Sequence, residues 1–239
     1  MAEEFPHYLK AFYTNPYQMK FSLGQHAHDL RFTVSMGPIG SKTILVLHEG
    51  STTDGQISAI GKEIGMFHQG YRMANNIIPP PLIGEYPNTF TSTMNPEQEF
   101  IHRWYQFSMK VGKGEKLHSE KFEWRPTQGN EIQAMFNHAK GFKLVRVGAE
   151  GPGDGRGGKR QSRQLGESSD GKEIVAVWAT ERVLVPISRS PFKFELLGSG
   201  KTGELGRHFG YMALMTALET WCFQVLRIHD DFPPYVPRH

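Results

Sequence analysis

The sequence predicts a mainly β protein, a closed antiparallel β-barrel of about 12 strands enclosing one apolar C-terminal helix. Three observations lead there. Short runs rich in β-branched and aromatic residues recur at close spacing along the chain. The 26 glycines and 15 prolines punctuate those runs, as tight turns between strands require. Only one segment has the look of a long helix, and its apolar residues cover most of its circumference.

The strand signals, in order, are MKFSL (19–23), LRFTVSM (30–36), KTILVLHE (42–49), EIGMFH (63–68), FTSTM (90–94), FIHRWYQFSMK (100–110), LHSEKFEWR (117–125), FKLVRV (142–147), EIVAVWATERVLVP (173–186) and FKFELL (192–197). Alternation is clearest in LRFTVSM. Leu30, Phe32, Val34 and Met36 share one face, while Arg31, Thr33 and Ser35 share the other, the pattern of a half-buried antiparallel strand.

Two segments interrupt this order and a third ends it. NNIIPPPLIGEYPN (75–88) is dense in proline and reads as an extended surface crossing. Residues 150–171, EGPGDGRGGKRQSRQLGESSDG, hold almost nothing apolar and read as a flexible loop. The tail DDFPPYVPRH reads as irregular, and no repeat of solenoid or propeller period occurs. One domain over residues 1–239 is expected.

The helix is expected over about Thr202 to Ile228, with Thr202 as its cap. Leu205, Phe209, Met212, Leu214, Met215, Leu218, Trp221, Phe223, Val225 and Leu226 wrap around it, so it has to be enclosed on nearly every side. Strands followed by one such helix imply a wide barrel filled by that helix. GSGKT (198–202) stands between the last strand and the helix, where a phosphate-binding loop would. Glu195 occupies the place of the first glycine, and only 37 residues follow Thr202, too few for the rest of a parallel α/β sheet. GSGKT therefore reads as a glycine turn.

Charge and cysteine content narrow the function classes. The 27 basic and 24 acidic residues balance too evenly for a nucleic-acid-binding protein. Cys222 is alone, and the start MAEEFPHYLK has no basic-then-apolar leader, so a cytoplasmic protein is expected. No apolar stretch reaches the roughly 18 residues of a membrane span.

A strand ending FEWR (122–125), then GFKLVRV (141–147), KEIVAVWA (172–179), a final strand and an apolar C-terminal helix together resemble the tubby C-terminal-like superfamily, in particular its fungal branch. That superfamily also includes the phospholipid scramblases and the LURP-one-related proteins. The resemblance implies a 12-stranded barrel around a central helix, over roughly residues 10–229.

Three constellations carry the functional expectations. Basic residues recur on strands, among them Arg103, Arg125, Lys143 and Arg146, with Arg156, Lys159, Arg160 and Arg163 in the glycine-rich segment. On one face, beside Trp104, they would hold a phosphorylated headgroup, with the glycine-rich segment touching a membrane surface; spread out, they are a solvated surface. FIHRWYQFSMK places His102 and Trp104 on one face and Arg103 and Tyr105 on the other, either as a ligand-cavity wall or as an ordinary amphipathic strand. His208 and Glu219 lie about three turns apart on nearly one face of the helix, as barrel-mouth residues or as acid–base groups. His26 and His28 are not followed by the carboxylate that would complete a metal site, since Leu30 to Ser35 offers none and Glu49 is far away, so neither metal nor cofactor is expected.

The leading expectation is therefore a barrel binding a lipid or other amphiphilic small molecule. The alternative is a cofactor-independent cyclase or isomerase of fungal secondary metabolism, pericyclic reactions included, drawing on His102, Trp104, Tyr105, His208 and Glu219.

Overall fold

The computed structural model describes residues 4–13, 20–37, 42–67, 71–78, 90–99, 102–112, 117–136, 139–151, 166–181 and 192–222. The fold is mainly β. Its strands are β1 (Tyr8–Phe12), β2 (Lys20–His26), β3 (Asp29–Met36), β4 (Thr43–Glu49), β5 (Ile57–Phe67), β6 (Tyr71–Ile78), β7 (Phe90–Glu99), β8 (His102–Val111), β9 (His118–Thr127), β10 (Ala139–Glu150), β11 (Lys172–Glu181) and β12 (Phe192–Leu196). Three helices accompany them: α1 (Asn130–Gln133), α2 (Gly198–Lys201) and α3 (Arg207–Trp221).

All strand pairs are antiparallel. Sequence neighbours pair from β2 through to β12, and β1 pairs with both β12 and β2. Such local pairing follows from the turn-punctuated sequence, since consecutive strands joined by short turns fold back on each other.

The pleat sorts the side chains onto two faces. Tyr105 pairs with Trp124, Phe107 with Phe122, and Leu144 with Trp124, so these buried residues share one face across β8, β9 and β10. Trp178 continues that face by pairing with Phe142 and Phe194. The Trp124 indole N–H donates to the Thr216 hydroxyl of α3 at 2.8 Å, which marks this as the helix side of the sheet.

Helix α3 is buried at every position from His208 to Trp221. It lies against β4, β5, β6, β8 and β12, with ring contacts from Phe21 of β2 to Trp221 and from Phe122 of β9 to Phe209. The enclosed helix read from the sequence is thus observed. Its start is not where expected: Thr202 follows the separate turn of α2, and the residue before α3 is Gly206, in the left-handed region at φ 83° with no side-chain cap. The chain needs that conformation to turn from α2 into α3. Residues 223–228 lie outside the described residues.

Two strands, β1 and β6, were not foreseen, and β6 takes in the Asn75–Ile78 part of the proline-dense stretch. The glycine-rich segment is also shorter than expected. β10 runs on to Glu150, and residues 166–171 form a turn in which the Ser168 N–H donates to the Lys172 carbonyl and its hydroxyl accepts from Lys172 N–H. Residues 152–165 lie outside the described residues.

The Trp124–Thr216 bond ties α3 to the wall and is fully buried. Replacing Trp124 by Phe keeps the ring body and removes the donor. Denaturant unfolding of Trp124→Phe is expected to show a loss of about 1–2 kcal/mol at unchanged slope. A midpoint equal to wild type would mean that the bond does not anchor the helix.

Candidate functional site

The GSGKT stretch is a single helical turn whose anion-facing groups are already taken. The Ser199 N–H donates to Glu173 Oε1 at 2.7 Å, and the Ser199 hydroxyl donates to Glu173 Oε2 at 2.9 Å. A carboxylate of the protein itself sits where a phosphate would be cradled. Gly200 presses against the Val175 carbonyl, and a Cβ there would overlap it. These glycines serve close packing of α2 on β11.

Glu173 belongs to a wider network at the end of the sheet where α3 begins. The Arg146 guanidinium donates to Glu120 at 2.5 and 2.6 Å, to Glu204 at 2.9 Å, and to Ser199 at 3.2 Å, and it lies 3.4 Å from Glu173. His118 Nε2 sits 2.5 Å from Glu120 Oε1, the oxygen that also accepts from Arg146 Nη2. Hydrogen bonds to Glu120 hold the Arg146 guanidinium well above its ordinary range. Burial opposes ionisation of Glu120, but the bonds from Arg146 and His118 prevail and lower its pKa from 4.5. A surface cavity of about 520 Å³ lies here, bounded by Val111, His118, Arg146 and the 202–205 turn.

Arg125 and Lys143 stand opposite each other in register, on the face away from α3. Arg125 bonds Glu123 at 2.7 Å and both oxygens of Asp170 at 2.8 and 2.9 Å; Lys143, 8% exposed, lies 3.7 Å from Glu131. Arg146 pairs with Phe122 and so points to the opposite face. The expected single basic face does not form from these three, because an odd spacing along a strand reverses the side. Arg103 pairs through its backbone with Gln98, and its side chain lies outside the described residues, as do Arg156, Lys159, Arg160 and Arg163.

The expected acid–base residues are dispersed too. His102 lies in β8 with its side chain outside the described residues. Trp104 is half-buried on the face away from α3, whereas Tyr105 is buried on the helix side, its ring 6.3 Å from that of Phe142. His208 and Glu219 are both buried, not at a solvent-open mouth, and eleven residues of helix separate them by roughly 16 Å. The Glu219 carboxylate packs against Gly61 of β5. His26 and His28 stack at 5.3 Å between ring centroids, and among the described residues no group of three His, Cys, Asp or Glu is placed to hold a metal.

A second cavity, of about 340 Å³, lies near the other end of α3. Its wall is aromatic: Phe142 and Trp178 stack at 5.2 Å with their planes 16° apart, and Phe192 links Trp178 to Trp221 of α3. Pro126, Thr127, Gln128, Lys140 and Gly141 complete the lining. Trp178 is 1% exposed and Thr180, on the same face, is 0% exposed. The indole N–H of the one and the hydroxyl of the other have no hydrogen-bond partner among the described residues. None of these residues was singled out from the sequence as a site, although the parity of Lys140, Phe142 and Leu144, and of Trp178 and Thr180, carries the signal.

No family model, curated protein or solved structure matches this chain. No helix among the described residues is long and apolar enough to cross a membrane.

The Arg146 network fixes a pH dependence. A carboxyl lowered in the folded state contributes stability above its ordinary pKa of 4.5, and that contribution is lost as pH falls through the folded value. Asp170 acts in the same direction: burial raises its pKa, but the bonds from Ser168 and Arg125 outweigh that and leave it lowered. Thermal unfolding followed from neutral pH downward is expected to lose stability below about 4.5, and Glu120→Gln is expected to flatten that slope. An unchanged acid profile in Glu120→Gln would refute the assignment.

Proposed function

We propose that the protein binds a lipid or other amphiphilic small molecule in the cavity walled by Phe142 and Trp178. In this reading the strands form a barrel closed about α3, of the tubby-like type the sequence resembles, and the cavity is its open end. The pairing of β1 with both β2 and β12 and the burial of α3 on every side support that architecture. One observation carries the functional reading: a cavity with a stacked aromatic wall, Phe142 on Trp178, has the polar side chains of Gln128 and Lys140 in its lining. An apolar surface with a few hydrogen-bonding groups is what an amphiphile with a flat or aliphatic body needs.

The binding reading is preferred to the acid–base alternative because Trp104 faces away from α3 and His208 and Glu219 stand about three turns apart on it. Binding without chemistry is the simpler use of this site.

The test is calorimetric titration with two probes below their micellar concentrations, decanol and decanoate. Saturable one-to-one binding of at least one is expected. Gln128→Trp, at an exposed lining position, is expected to obstruct the mouth and weaken binding at least tenfold while leaving the unfolding midpoint in place. Failure of both probes to bind wild type would end this reading.

A further inference from the structure

The two ends of α3 carry opposite electrostatic characters. At the N-terminal end one guanidinium is surrounded by three carboxylates, those of Glu120, Glu173 and Glu204. At the aromatic end no carboxylate lines the cavity among the described residues, and the one charged lining group is Lys140.

Lys140 has a particular place in the sheet. It is two residues before Phe142 and four before Leu144, so all three share the helix side. Leu144 is fully buried, Phe142 nearly so and Lys140 exposed, which makes this row a path from apolar interior to charged lip. Across the strand pair Lys140 faces Thr180, whose hydroxyl is buried without a partner among the described residues. Gln128 adds an exposed polar side chain to the lining. An ammonium at the rim suits an acceptor with negative charge, and the stacked rings suit the apolar body behind it.

From this arrangement, and resting on the amphiphile-binding reading above, we propose that the ligand is an acid: a free monocarboxylate with an apolar body. Its carboxylate pairs with the Lys140 ammonium at the lip, and its body lies along Phe142 and Trp178. The source is a soluble acid and not a headgroup held in a bilayer, because the single cation at this lip matches one negative charge, whereas a phosphorylated headgroup calls for a cluster.

Decanoate and decanol share a ten-carbon chain and differ in charge, so their comparison isolates the head. Wild type is expected to bind decanoate at least tenfold more tightly than decanol, a preference that falls as salt is raised. Lys140→Glu, a substitution at an exposed position, is expected to abolish decanoate binding and leave decanol binding within about twofold; Lys140→Met is expected to equalise the two. Equal affinities in wild type, or decanoate binding unaffected by Lys140→Glu, would overturn the acid assignment while leaving amphiphile binding intact. Loss of both ligands in Lys140→Glu would also overturn it, since the lysine would then be holding the cavity in shape. In a third arm, sedimentation with vesicles of phosphatidylcholine alone or with phosphatidylserine is expected to leave the protein in the supernatant. Co-sedimentation with the acidic vesicles, without decanoate binding, would identify a lipid headgroup as the partner and overturn the free-acid source.

Discussion

The fold depends on surrounding a helix that has no solvent side. From His208 to Trp221 every residue of α3 is buried, so the packing around it leaves none of its faces to water. The helix's own polar side chains have to find partners inside. Thr216 and Thr220 donate to helix carbonyls one turn back, Thr216 also accepts from Trp124, and Tyr211 donates to Glu49 of β4 at 2.7 Å. Burial and desolvation, with Glu49 close by, push the Tyr211 phenol far up, so it remains a donor under all ordinary conditions. The bonds with Trp124 and Glu49 each tie the helix at one height to one strand, which fixes its rotation and depth in a way that non-directional apolar contact does not.

Much of this was legible because periodicity is a physical record of burial. Alternation in LRFTVSM marks β3, where Phe32 and Val34 are buried, and the unbroken apolar circumference of the last helix already required an enclosure. The sequence was less informative where local chemistry is ambiguous. YRMANNII carries two asparagines and gave no strand signal, yet as β6 it is paired on both sides, tertiary context overriding propensity. Thr202 has the right side chain for a helix cap, but Gly203 and Gly206, both at positive φ, interpose a turn that moves the helix start five residues on. Arg125, Lys143 and Arg146 looked like a common basic patch in one dimension. Their parity puts them on two faces, and each pairs with acids of its own: Arg125 with Glu123 and Asp170, Lys143 with Glu131, and Arg146 with Glu120, Glu173 and Glu204.

Those ion pairs explain why the end near α2 is a joint more than a site. Arg146 reaches β9 through Glu120, β11 through Glu173, α2 through Ser199 and the turn before α3 through Glu204. Three stretches far apart in sequence, β9, β11 and residues 199–204, converge on one guanidinium, whose planar fork can bond several carboxylates at once in a way an ammonium cannot. With Glu173 also holding the Ser199 N–H and hydroxyl, the turn that resembles a phosphate loop is locked to the sheet by a negative charge of its own. An incoming anion would have to displace that carboxylate and then face two more.

At the aromatic end the balance is reversed. A buried donor without a partner costs about 1–3 kcal/mol, a substantial share of the stability of a domain. The interior around α3 spends its polar groups carefully, with threonines bonded back to the helix and the Trp124 indole bonded to Thr216. Some buried polar atoms have no partner among the described residues, the Trp178 and Trp221 indole N–H groups and the Thr180 hydroxyl among them. The proposed ligand is placed at this end because the cavity here has an aromatic wall and one cation in its lining, whereas an anion at the ion-paired end would meet three carboxylates.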